Sequence, residues 1–129
     1  MITVEHLYHS YSNDETYAVK NAGFEIPKGE VFGFLGPSGA GKSTTQGILT
    51  GLLKLQKGHV TVAGYDVEKI KREMFNQIGM SFEQSNVYSK MTARENLKFY
   101  AKLFDVPTRD PQELLELVGL SGKCDIRAG

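Results

Sequence analysis

Apolar and polar residues alternate from Ile2 to Tyr8 (Ile-Thr-Val-Glu-His-Leu-Tyr), which predicts a half-buried strand. Residues 9–16 are polar and predict a loop. A second strand is expected over 18–26, ended by the turn Pro27-Lys28-Gly29. Glu30-Val31-Phe32-Gly33-Phe34-Leu35 is almost wholly apolar after its first residue, the pattern of a strand buried on both faces in a parallel sheet. A helix is expected over 41–50, with Gly51 as its C-cap. Gly47 inside that helix costs about 1 kcal/mol relative to alanine, which points to close packing at that position. Gly58-His59-Val60-Thr61-Val62-Ala63 predicts a short strand ended by Gly64. Val67, Ile70 and Met74 fall at helical spacing and predict an amphipathic helix over 66–76. Ile78-Gly79-Met80-Ser81-Phe82 predicts a further strand.

Helix start signals are strongest in the last third of the chain. Thr92-Ala93-Arg94-Glu95 has the form of a capping box. Ala93, Leu97, Tyr100, Ala101 and Phe104 then mark one helical face. Asp110-Pro111-Gln112-Glu113 combines an Asp N-cap, Pro in the first turn and a Glu three residues on. Leu114, Leu115, Leu117 and Val118 make that second helix apolar, and Gly119 is its expected stop. No linker divides the chain into two complete domains.

The 129 residues amount to one small domain by length, and 40% hydrophobic with 23% charged residues fits a folded chain. Fifteen Lys and Arg balance fifteen Asp and Glu, so an electrostatic grip on nucleic acid or on an anionic membrane surface is not expected. No apolar run is long enough to span a bilayer, and Met1-Ile2-Thr3-Val4-Glu5-His6 lacks the regions of a signal peptide. The single Cys124 leaves no internal disulfide, so a cytoplasmic location is the expectation. Glycine is the informative count: of 14, seven fall between Gly29 and Gly51.

That crowding centres on Gly36-Pro37-Ser38-Gly39-Ala40-Gly41-Lys42-Ser43, a full match to the phosphate-loop pattern G-x-x-x-x-G-K-S/T. A triphosphate needs several donors converging on one concave site. Glycines let backbone N–H groups turn inward with no Cβ in the way. The loop opens a helix, whose unpaired N–H groups and positive dipole end face the anion. Lys42 supplies a mobile charge for the β- and γ-phosphates. The Ser43 hydroxyl suits Mg²⁺, which keeps most of its waters and takes few protein ligands.

The segment Gly33 to Thr45 resembles the Walker A region of ABC-type ATPases. Gly58 to Val67 resembles the strand pair after that family's first helix, and Ile78 through Leu97 resembles its Q-loop region. The wording is most similar to ATP-binding subunits of bacterial drug-exporter type. The resemblance covers nearly all of the chain but only about the first half of the family's domain. It implies an α/β fold: a P-loop NTPase (ABC ATPase-like) core with an antiparallel β-subdomain over about 1–91, and the start of a helical subdomain over about 92–129, incomplete. Bound ATP and Mg²⁺ are implied, as are a transmembrane permease as partner, self-association of the ATP-binding domain, and a place at the inner face of the cell membrane without insertion.

By the same resemblance Tyr11 stacks on the adenine, with Tyr8 and Tyr17 as weaker candidates, and Thr44 contacts the α-phosphate. The Q-loop position, which joins the Mg²⁺ site in the family, falls on Glu83 by ungapped alignment from either side, and the nearest glutamine is Gln84. Either residue is a candidate. Leu120-Ser121-Gly122 resembles the opening of the family's signature motif but directly follows a helix stop, and reads as a turn. The acidic Walker B motif, the signature and the switch histidine have no match, and His6, His9 and His59 are assigned no role. Phosphoryl transfer rests on positioning and charge stabilisation, so a cradle with no water-orienting base is expected to bind nucleotide and hydrolyse it very slowly. An unpaired apolar edge beside the phosphate-loop strand is expected to make the chain marginally stable or self-associating. Other readings are a soluble non-transport ABC protein, another phosphate-loop enzyme such as a small-molecule kinase, or a nucleotide-binding module without hydrolysis.

Overall fold

A computed structural model describes residues 1–12, 16–69, 71–82, 84 and 86–128. They divide into two compact units, Met1–Ile78 and Gly79–Gly129.

The first unit is built on an antiparallel sheet in the order β2-β1-β3-β4, from β1 (Ile2–His9), β2 (Val19–Ile26), β3 (Lys57–Val62) and β4 (Tyr65–Asp66). β1 is flanked on both sides: Val4 pairs with Phe24 of β2 and with Val60 of β3. Burial falls on Val4, then on Leu7 and His9. The spacing slips by one because the ladder bulges between Val4 and Leu7. His6 occupies the bulge with φ 49° and its Nδ1 lies 2.9 Å from Asn21 Oδ1, itself at φ 51°. An inserted residue reverses which face the following side chains take. Helix α1 (Lys42–Leu49) lays Ile48 and Leu49 against Val4, Leu7, Val19, Val60 and Val62. Gly47 has its packing partner in Leu53, whose Cδ1 lies 2.9 Å from where a Cβ would stand. Gly51 follows the cap residue Thr50 at φ 75° and closes the helix as expected.

Three expected elements form differently. Residues 30–36 carry no ladder. Val31 and Leu35 are 102% and 95% exposed, while Phe32 and Phe34 turn to the other side and meet Phe24 with ring centroids 5.4 Å away in each case. The backbone keeps a period of two, but a strand buried on both faces needs a neighbour on each side, and none of the described residues supplies one. Residues 66–76 are not one helix. A 3₁₀ turn (Val67–Lys69) and a single turn α2 (Arg72–Phe75) are separated by Lys71, which is extended at φ −109°, ψ 152°. Asp66 Oδ1 accepts the Glu68 N–H at 2.9 Å, a local bond that competes with helix continuation. Val67 and Met74 are still buried in the core, and Ile70 lies outside the described residues. Residues 78–82 likewise form no strand.

The second unit contains α3 (Ala93–Ala101), α4 (Pro111–Leu117) and a 3₁₀ turn (Ser121–Lys123). The capping box is present in full: the Glu95 N–H donates to Thr92 Oγ1 at 3.1 Å, and the Thr92 N–H donates to Glu95 Oε2 at 2.8 Å. Thr92→Ala is therefore expected to lower the stability of this unit by about 1 kcal/mol, with Thr92→Ser close to neutral, read by urea unfolding followed by circular dichroism. Asp110 caps α4 by accepting the Gln112 N–H at 2.7 Å, with Pro111 in the first turn. Gly119 stops α4 at φ 74°. Asn96 is buried on α3: its Oδ1 accepts the Tyr88 N–H at 2.8 Å and its Nδ2 donates to Tyr88 O at 3.0 Å. The Arg94 guanidinium donates to Asp125 Oδ1 at 2.9 Å, and that hydrogen bond holds the Asp125 carboxyl below its ordinary range. The Leu120-Ser121-Gly122 stretch falls at the 3₁₀ turn. Among the described residues no helix is long and apolar enough to cross a membrane.

Candidate functional site

The glycine-rich loop runs from residue 36 directly into α1. Gly36, Gly39 and Gly41 have φ of 149°, 81° and 80°. Gly41 is the N-cap residue, in the left-handed region, and no side chain caps the helix. The amides of Gly39, Gly41, Lys42, Ser43 and Thr44 donate to no acceptor among the described residues. They are the orphan donors of a helix N-terminus, extended backward into the loop. Ala40 is the exception, its N–H reaching Pro37 O at 3.3 Å. Thr45 hydroxyl donates to Gly41 O at 2.9 Å, which ties the first helical turn to the end of the loop.

Lys42 folds back over the loop. Its Nζ donates to Gly36 O at 2.8 Å and to Pro37 O at 2.7 Å. The ammonium is thus held at the mouth of the loop by two exposed carbonyls, neutral acceptors that an anion can replace. Ser43 is exposed beside it, and its hydroxyl makes no hydrogen bond among the described residues. A free hydroxyl next to unpaired amides is a donor set that fits a hydrated Mg²⁺ together with the phosphates it accompanies. Among the described residues no group of three His, Cys, Asp or Glu stands ready for a metal, and a cation of this kind does not need one.

A depression of about 260 Å³ opens over the loop, lined by Tyr11, Ala18 and residues 38–44. The chain thus brings Tyr11, just after β1, to the phosphate-loop residues. The Tyr11 ring is 69% exposed, so a face is available. Its hydroxyl lies 3.0 Å from the Thr44 hydroxyl, and Thr44 itself is buried. The His9 imidazole meets the ring edge-on at 4.9 Å between centroids. Tyr8 and Tyr17 are elsewhere: they pack on each other at 5.5 Å, with Lys57 Nζ 4.7 Å from the Tyr8 centroid. Of the Q-loop candidates, Glu83 lies outside the described residues and Gln84 is an exposed bend residue of the second unit. Sequence reasoning missed two participants. Ala18 forms one wall of the depression, and His9 is buried with an Nδ1 that has no hydrogen-bond partner among the described residues. Neither residue type carries a signal in a single sequence.

A glycine-rich loop that ends in Lys42-Ser43 and opens a helix is a phosphate-loop arrangement. The ABC transporter family model matches residues 19–128, and the chain belongs to that family. It is 44% identical over its whole length to a fluoroquinolones export ATP-binding protein of Mycobacterium tuberculosis, covering 43% of that protein. It is 42% identical to a methionine import ATP-binding protein of Geobacillus kaustophilus over 97% of this chain and 40% of that one. The chain therefore spans about two fifths of the length of these curated relatives. Among solved structures, a dimeric ATP-binding cassette in a post-hydrolysis state bound to ADP and Pi matches 99% of this chain and 62% of its own, with a TM-score of 0.78 and 25% identity. A nucleotide-free cassette from an ABC transporter matches with a TM-score of 0.75 and 27% identity, over 99% of this chain and 57% of that one.

Proposed function

We propose that this chain is the nucleotide-binding portion of an ATP-binding subunit of an ABC transporter, and that ATP sits in the depression between Tyr11 and the loop. The observation that carries the reading is the cluster of amides from Gly39, Gly41, Lys42, Ser43 and Thr44 that have no acceptor among the described residues, with Lys42 held there by two loop carbonyls. Converging N–H donors at a helix N-terminus are a site for a polyanion. Lys42 exchanges its carbonyl partners for phosphate oxygens, and Thr44 contributes a hydroxyl at the inner end. Ser43 is the residue that would hold Mg²⁺, and the cation, when bound, would offset charge on the β- and γ-phosphates. The Tyr11 ring offers its exposed face to the adenine. The M. tuberculosis protein, named for export, and the G. kaustophilus protein, named for import, support a permease as the partner of the whole subunit. The dimeric cassette supports a dimer of ATP-binding domains. Such a subunit would work at the cytoplasmic face of the membrane. Hydrolysis belongs to that whole assembly, and these residues by themselves bind without appreciable turnover.

The reading is tested at Tyr11. Tyr11→Ala is expected to weaken ATP binding by about tenfold, in line with base stacking on an aromatic ring, and to leave binding of inorganic triphosphate unchanged. Calorimetric titration of both ligands measures the split. Equal losses for the two would remove the base from this end of the depression.

A further inference from the structure

The loop that carries Tyr11 is held from outside the phosphate cradle. The β1–β3 ladder ends at the pair Tyr8 and Lys57. The main chain separates beyond it, and the Gln56 side chain takes over as the partner of Ser10. The Ser10 N–H donates to Gln56 Oε1 at 2.8 Å, and Gln56 Nε2 donates to Ser10 O at 2.8 Å. One primary amide thus satisfies both backbone groups of one residue, as a neighbouring strand would. The Ser10 hydroxyl in turn closes the loop, 2.7 Å from Ser12 O and 2.6 Å from Thr16 O. Tyr11 follows immediately, with its hydroxyl at Thr44 and its ring against His9.

We propose that Gln56 is a positioning residue for the base-stacking seat: its two-point clamp on Ser10 sets where the Tyr11 ring stands over the depression. This rests on the reading that Tyr11 stacks on the base. A ring fixed before the ligand arrives gives its full stacking energy, whereas a ring on a loose loop loses part of it to ordering. Gln56 is exposed and lies outside the apolar core, so its amide is removable without disturbing the fold. Leu55, the residue before it, is the one that packs in the core.

The experiment is calorimetric titration of ATP and of inorganic triphosphate into the full chain and its variants. Gln56→Met keeps the stem and removes both bonds. It is expected to weaken ATP binding by about three- to tenfold and to leave triphosphate binding as it was. Gln56→Glu keeps only the acceptor for the Ser10 N–H and is expected to fall between the two. In a Tyr11→Ala background Gln56→Met is expected to add nothing, because the ring it positions is gone. Unchanged ATP affinity in Gln56→Met, with Tyr11→Ala still selective for ATP, overturns the clamp and leaves the stacking reading standing. Equal loss for ATP and triphosphate in Gln56→Met overturns it too, since a general strut makes no distinction between them. A Tyr11→Ala variant that treats both ligands alike removes the stacking reading itself.

Discussion

Lys42→Ala is expected to weaken MgATP binding by about ten- to hundredfold, the range for losing a charge-assisted hydrogen bond to an anion. The same substitution should leave stability within about 0.5 kcal/mol of the unaltered chain, because Lys42 is not part of the core. The two effects separate because of what Nζ touches. Its acceptors, Gly36 O and Pro37 O, lie in an exposed loop where water replaces the lost donor. The apolar contacts that hold α1 to the sheet come from Ile48 and Leu49, on the last turn of the helix. Isothermal titration with MgATP, beside urea unfolding of both proteins, reads the pair. Lys42→Arg should recover only part of the affinity, since a planar fork does not reproduce a compact ammonium between two carbonyls. Unaltered binding heats in Lys42→Ala would count against the cradle as the nucleotide site.

What was legible in the sequence is what local chemistry decides. The loop from Gly36 to Ser43 is recognisable because each position answers a need of a few neighbouring atoms. The capping box at Thr92 and Glu95 and the Asp110-Pro111 start are legible for the same reason, since both partners of each bond sit within three residues. The failures are non-local. Val31 to Leu35 has the composition of a buried strand, but burial comes from neighbouring strands that the segment does not encode. The helix expected over 66–76 is the exception, since it gives way to a local bond from the Glu68 N–H to Asp66 Oδ1 and to an extended Lys71. The bulge at His6 shifts the burial of β1 by one residue with no glycine in β1 to announce it, and the glycine that stands against it, Gly58, lies on β3. The clamp between Gln56 and Ser10 spans 46 residues, and neither side chain belongs to any motif. The candidate site was therefore legible along the glycine loop and not at the bonds that hold Ser10, the residue before Tyr11.

Gly41→Ala is expected to destabilise the first unit by about 2–4 kcal/mol and to abolish the depression's geometry, whereas Gly39→Ala should cost about 1 kcal/mol. The two glycines have nearly equal φ, 80° and 81°, so the conformational penalty for a Cβ is the same at both. They differ in what the Cβ meets. At Gly39 nothing lies within 4 Å. At Gly41 the new atom falls on the Ala18 carbonyl oxygen and stands 2.9 Å from Val19 Cγ2. Neither neighbour is free to yield. The Ala18 N–H donates to His9 O at 2.9 Å, and Val19 is a buried core residue paired with His9 across the sheet. Relief has to come from separating α1 from the start of β2, which also displaces His9 and the ring that rests against it. Gly41→Ala should accordingly lose ATP-over-triphosphate selectivity as well as stability, and Gly39→Ala should keep the first in full. Urea unfolding and paired titrations on the two variants separate the steric contribution from the conformational one. Equal destabilisation of the two would mean that the Ala18 carbonyl moves freely, and that the loop and the sheet end are not one mechanical unit.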